Sequence, residues 1–219
     1  MSVETRNITR IDPVWAKIRS ESEVAVENEP LLGAFLHKNV LQHETIENAL
    51  AHRISLKLAS QEMSEHYLRD FCNNAFKEDG KLAASARADI MATYERDPAC
   101  HRFLQPLIFF KGFQAVQAYR IANNMWQNDR KDIAYYMQSR ISEVFGIDIH
   151  PGAIIGQGLM IDHAHSIVIG ETAIVGNNVS MLHSVTLGGT GKEKEDRHPK
   201  IEDGVLVGAG AKVLGNIKV

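Results

Sequence analysis

The sequence predicts an α+β protein, an all-helical N-terminal part followed by a parallel β-helix of six-residue repeats. Three observations predict it. Of the 16 glycines, thirteen lie from Gly146 onward and only Gly33, Gly80 and Gly112 precede it. Before that point apolar residues recur at three- and four-residue steps, the period of a helix face. After it they recur at steps of six, the repeat of a coil of short strands, with Gly-rich loops between ordinary strands as the other reading.

In chain order, Asp12-Pro13 and Asp97-Pro98 each read as an N-cap residue followed by proline at the first helical position. Ile46, Ala49, Leu50, Ile54 and Leu58 fall on one face and predict a helix. Leu104 to Met125 predicts another long helix with an apolar face. These segments assign residues 1–140 to a helical domain and 141–219 to the repeat domain.

The repeat anchors are Ile149, Ile155 and Ile161, then Ile169, Val175, Met181 and Leu187, then Ile201, Val207, Val213 and Val219. All are large and apolar, whereas a chain of average composition would put polar residues at about half of such positions. Several are followed directly by glycine, as in Ile155-Gly156 and Ile169-Gly170. An inward-pointing anchor followed by a permissive turn is what one rung requires. The spacing breaks twice, around Asp162 to Ser166 and across GGTGKEKEDRHPK. Both breaks carry His and charged residues, and loops on a rigid scaffold are where chemistry is usually placed.

Composition narrows the partners. With 24 Lys+Arg against 27 Asp+Glu the net charge is -3, so no basic field recruits nucleic acid or an anionic membrane. Cys72 and Cys100 are far apart and form no C-x-x-C pair, which argues against a disulfide framework and a cysteine-based zinc site. The N-terminal MSVETRNITRIDPVW has no apolar signal region, and no stretch reaches the roughly 20 apolar residues of a membrane span. A cytoplasmic protein is expected.

The segments DIHPGAIIGQGLMIDHAHSIVIGETAIVG and SVTLGGTGKEKEDRHPKI, with YERDPA at the end of the helical half, resemble the serine acetyltransferase family. The likeness runs over nearly the whole chain. It implies that the β-helix is left-handed, that three chains assemble as a trimer, and that helical domains pair trimers into hexamers. It implies transfer of acetyl from acetyl-CoA to the hydroxyl of L-serine, without a metal. The family's catalytic His aligns with His163 and its paired Asp with Asp148. A serine hydroxyl needs a base to become a nucleophile, and imidazole titrates close enough to neutrality to serve. A carboxylate on the other ring nitrogen fixes its tautomer. Asp97 and Asp162 correspond to the residues that hold the substrate ammonium. Arg197 corresponds to the one that forks its carboxylate, with His198 orienting the substrate beside it. Gly188, Gly189, Thr190 and Gly191, with Ala209 and Gly210, correspond to the acetyl-CoA site. GGTGK lacks the P-loop spacing, so ATP is not implied. L-cysteine, which differs from L-serine only in its thiol, is expected as feedback inhibitor on the Asp97, Asp162 and Arg197 contacts. In the family further rungs follow the position of Val219, and then a tail that docks in O-acetylserine sulfhydrylase; the resemblance implies that partner, and the rest of the acetyl-CoA site, only with those segments.

Taken without the resemblance, His163 also fits a structural histidine, Asp148 a polar turn residue, Asp97 a helix cap, and Arg197 and His198 a solvated charged loop. Glu171, in the GET motif, has no assigned role. Three other functions use the same features: acetyl transfer to homoserine or a sugar, a γ-class carbonic anhydrase with zinc held by residues such as His163, His165, His183 and His198, and a non-catalytic scaffold for the sulfhydrylase.

Overall fold

The computed structural model describes residues 12–191 and 194–219; the stretch ahead of Asp12, and Lys192 and Glu193 within the second break, lie outside it. Helix α1 (Pro13–Asn28) starts where expected, with the Asp12 carboxylate accepting from Val14 N and Trp15 N. Short helical turns at Pro30–Leu32, α2 (Gly33–Leu36) and His37–Leu41 lead to α3 (Ile46–Leu58), capped by Thr45. The five apolar residues predicted to share its face are all buried. Ser64 caps α4 (Glu65–Glu78) and Asp79 caps α5 (Gly80–Arg96). Helices α6 (Leu104–Phe109), α7 (Lys111–Gln127) and α8 (Lys131–Phe145) complete the helical part, which runs past residue 140 to Phe145.

Two local expectations are corrected. Asp97 starts no helix: it is the C-cap of α5, and its carboxylate accepts from Ala99 N at 2.8 Å in a turn that Pro98 enters. Leu104 to Met125 is two helices rather than one, broken at Phe110, whose backbone is extended. The break lets α7 begin directly against the β-helix, where a Cβ on Gly112 would lie 2.4 Å from Ile161 O and 2.9 Å from the Ala164 Cβ. Carbonyls freed by the break are met by side chains: Gln114 Nε2 donates to Leu107 O and Ile108 O, and Arg53 donates to Ile108 O.

From Ile147 the chain coils as a left-handed, three-faced parallel β-helix. Face A holds β1 (Ile147–Ile149), β4 (Ile167–Ile169), β7 (Thr186–Gly188) and β10 (Lys212–Leu214). Face B holds β2 (Ile154–Ile155), β5 (Ile174–Val175) and β8 (Lys200–Ile201). Face C holds β3 (Met160–Ile161), β6 (Ser180–Met181) and β9 (Leu206–Val207). The anchors stack in register: Ile149 on Ile169, Ile155 on Val175, Ile161 on Met181. A second inward stripe lies two residues before the first seven anchors, where Ile147, Ala153, Leu159, Ile167, Ala173, Val179 and Val185 are buried.

The first coil would expose a row of carbonyls at the edge of the stack, and α7 covers it. Arg120 donates to Ile155 O and Gly156 O, Asn123 to Pro151 O and Ala153 O, and the Tyr119 hydroxyl to Ala153 O. Arg120 is paired with the buried Asp89 of α5, which also accepts from Leu159 N at 2.8 Å. A single apolar core therefore runs from the helices into the coil.

Candidate active site

The first break is the edge where face C passes to face A. Its backbone is forced into an unusual path, with His163, Ala164 and Ser166 at φ of 57, 60 and 56°. Non-glycine residues in this region are strained by about 1–2 kcal/mol each, so the path persists only because its surroundings impose it. Three backbone bonds do so: Asp162 N to Met181 O, Ser166 N to Gly146 O, and Ser184 N to His165 O. The result is an imidazole that stands out of the coil, with its side chain 67% exposed. Its Nε2 lies 3.3 Å from Asp162 Oδ2, and its ring meets His183 edge-to-face at 5.7 Å. Beside it opens a cleft of about 380 Å³ lined by Thr93, Asp97, Phe109, Lys111, Asp162 and His163, among others. The structure thus brings Asp97, Asp162 and His163 together from α5 and the C/A edge.

The second break is at the A/B edge, and side chains build it. Thr172 Oγ1 accepts from Arg197 N and His198 N at 3.0 and 3.2 Å. Glu171 Oε2 accepts from Arg197 Nη2 at 2.7 Å, and that bond holds the Glu171 carboxyl below its ordinary value. His198 is buried, its Nδ1 within 2.8 Å of Thr172 Oγ1 and accepting from Thr172 N at 3.2 Å. Burial, then the Arg197 charge, push its pKa down. The remaining edge of its ring lies against Gly170, where a Cβ would sit 2.0 Å from Nε2. Every residue of the GET motif therefore serves the Arg197 loop: Gly170 makes room, Glu171 pairs, Thr172 ties the backbone. Sequence reasoning missed this for Glu171 and Thr172. Counting the repeat would have put the motif at the same edge, one coil earlier.

Asp148 is separate from both. It lies on face A, where Gln138 Nε2 of α8 donates to Oδ1 at 2.7 Å, in a polar cleft with Tyr135 and Ser142. No hydrogen bond joins it to His163 within this chain, so the expected pair is not assembled by one copy. The acetyl-CoA candidates also divide. Gly188 ends β7 and leads, with Gly189, Thr190 and Gly191, into the A/B edge. Ala209 and Gly210 turn at the C/A edge, where Gly210 N donates to His183 O. Among the described residues no three His, Cys, Asp or Glu side chains converge as a metal site.

Residues 14–118 match the family model described as the N-terminal part of serine acetyltransferase. Over 206 residues the chain is 47% identical to a serine acetyltransferase of Haemophilus influenzae, covering 94% of this chain and 77% of that protein. The chain belongs to the serine acetyltransferase family. It is 48% identical over 209 residues to a mitochondrial serine acetyltransferase of Arabidopsis thaliana, covering 95% of this chain but 54% of the relative, so it spans about half that protein's length. Among solved structures, a Brucella abortus serine acetyltransferase in complex with coenzyme A superposes with a TM-score of 0.94 at 49% identity, over 97% of this chain and 85% of that one. Serine acetyltransferases of this fold are also described in complex with serine, from Neisseria gonorrhoeae, and with cysteine, at TM-scores of 0.91 and 0.92 and identities of 49% and 47%. No helix is long and apolar enough to cross a membrane among the described residues.

Proposed function

We propose that this serine acetyltransferase family chain transfers acetyl from acetyl-CoA to the hydroxyl of L-serine, giving O-acetyl-L-serine for cysteine biosynthesis. The observation that carries the proposal is the cleft in which an exposed imidazole, His163, faces two carboxylates, Asp97 and Asp162. The carboxylates hold the substrate ammonium, and His163 removes the hydroxyl proton as the oxygen attacks the thioester carbonyl. A tetrahedral intermediate then expels CoA thiolate, so no acyl-enzyme is formed. Arg197, with His198 beside it, binds the substrate carboxylate, its guanidinium exchanging the Lys194 and Glu195 carbonyls that Nη1 meets for the carboxylate oxygens.

One copy cannot supply all of these groups to one substrate, because the C/A and A/B edges are different corners of the coil. A threefold assembly that sets the C/A edge of one chain against the A/B edge of the next unites them. It also opens a groove for the pantetheine arm between Gly188 to Gly191 on one side and Ala209 and Gly210 on the other. In the same arrangement Asp148 reaches a neighbour's His163 and orients its ring. Trimers paired through their helical domains complete the assembly we propose. L-cysteine fits the Asp97, Asp162 and Arg197 contacts as an inhibitor competitive with serine. The two cysteines, free and buried, suit a reducing compartment such as the cytoplasm.

Thiol release from acetyl-CoA tests the activity, with L-serine and L-homoserine as acceptors and His163→Ala as the variant. Serine-dependent release that falls by about 10²–10⁴ in the variant is expected. Equal rates in both proteins would rule out His163 as base, and preference for homoserine would reassign the acceptor.

A further inference from the structure

We infer that Arg96 is a positioning residue for the substrate ammonium, setting the gap between Asp97 and Asp162; this rests on the proposed role of those two carboxylates. Arg96 is the last residue of α5 and immediately precedes Asp97. Its guanidinium leaves the helix and grips the B/C edge of the coil. Nη1 donates to Asn178 O at 2.7 Å and to Ser180 Oγ at 2.9 Å, Nη2 donates to Gly158 O, and Nε turns back to Ala92 O at 3.3 Å. One planar fork therefore spans two successive coils, a task that a lysine ammonium cannot reproduce.

The position of this grip gives it a consequence beyond stability. Gly158 is followed by Leu159 and the two-residue strand β3, and Asp162 comes next. Asp97 and Asp162 thus hang from the two sides of one clamp, Asp97 directly from Arg96 and Asp162 from the strand that leaves the gripped turn. A second tie, Leu159 N donating to the buried Asp89, fixes α5 to the same turn further up the helix. Between the two ties α5 has no freedom to slide along the coil. The Asp97 carboxylate is then held by its own turn, through Ala99 N. Two carboxylates bind one ammonium well only when their spacing is fixed before it arrives, since groups already ordered lose less freedom on binding.

The experiment compares Arg96→Lys, Arg96→Ala and Asp97→Asn in the assembled protein by steady-state kinetics, calorimetric titration with L-serine, and thermal unfolding. Arg96→Ala is expected to raise the KM and Kd for L-serine about tenfold, with KM for acetyl-CoA and kcat at saturating serine within about twofold of the parent. Arg96→Lys, which keeps the charge but replaces the planar fork with a single ammonium, is expected between the parent and Arg96→Ala. The lysine variant also decides the matter should the alanine variant fail to assemble. A silent Arg96→Lys beside a weakened Asp97→Asn would overturn the positioning role and leave the ammonium site standing. Equal losses in serine and acetyl-CoA parameters would reduce Arg96 to a structural tie. A silent Asp97→Asn would overturn both the ammonium site and this inference.

Discussion

The C/A and A/B edges flank the same face of the coil and are built in opposite ways. At the C/A edge the backbone is constrained, with three non-glycine residues between Asp162 and Ser166 at positive φ, and the functional side chain is loosely held. At the A/B edge none of Glu171, Thr172, Arg197 and His198 is at positive φ, and their side chains are tied into one network. The difference follows from the work each edge is proposed to do. A base must approach a substrate and change protonation state, so its backbone is fixed and its ring left accessible. A group that recognises a permanent charge gains most from being oriented in advance, because less order is lost when the ligand arrives.

That contrast makes a paired prediction, with the largest effects. Gly112→Ala drives a methyl into Ile161 O and Ala164 beneath the His163 loop, and a backbone obstacle yields little. It is expected to lower kcat by about a hundredfold through displacement of the base. Gly170→Ala meets the His198 ring instead, at 2.0 Å. The ring is a side chain and must move, so KM for L-serine is expected to rise about tenfold with kcat changed much less. Each overpacking costs about 1–3 kcal/mol, which urea unfolding measures separately. If both variants altered the same kinetic parameter, the division of labour between the edges would be wrong.

The repeat was legible because most anchors are buried in the coil and cannot be polar without burying an unpaired group; hence Ile149, Ile169 and Leu187 stack as their spacing predicts. The two interruptions were legible for the same reason, as departures from a strict count. Asp97 was misread as a helix start because Asp-Pro favours a turn as readily as an N-cap, and local preference does not say which side the helix lies on. The break at Phe110 was hidden because it answers to a contact with Ile161, distant in sequence. The separation of Asp148 from His163 was also invisible, since spacing along one chain does not say which strand or edge a side chain leaves from. Arg96 left no sequence signal, because all its partners but the Ser180 hydroxyl are backbone carbonyls, which every residue has.

Within the A/B edge the contrast sharpens at Glu171. Glu171→Gln keeps the shape and removes the charge that orients Arg197, so KM for L-serine is expected to rise about threefold. The effect on stability has a defined pH dependence. The Arg197 bond depresses the Glu171 carboxyl from its ordinary 4.5, so the pair's contribution is present above that value and lost as pH falls through the depressed one. Half-exposure of the pair limits it to under about 1 kcal/mol. The variant is therefore expected to be slightly less stable than the parent at pH 7, and equal to it at a pH below the depressed value, which urea unfolding at the two pH values checks.

The smallest effect lies on the other edge, at Ser166. This residue is exposed and at φ 56°, a conformation costing about 1–2 kcal/mol that glycine adopts freely. Ser166→Gly removes that strain but gives the unfolded chain more freedom, a loss of about 0.5–1 kcal/mol. The two nearly cancel, so the thermal midpoint is expected to rise by a few degrees at most, with kcat within about twofold. The backbone bonds to Gly146, Met181 and His165 remain in the variant and still impose the path. A large fall in kcat without loss of stability would mean that the residue's own stiffness, rather than those bonds, holds the loop, and that the base depends on a strained backbone to stay in place.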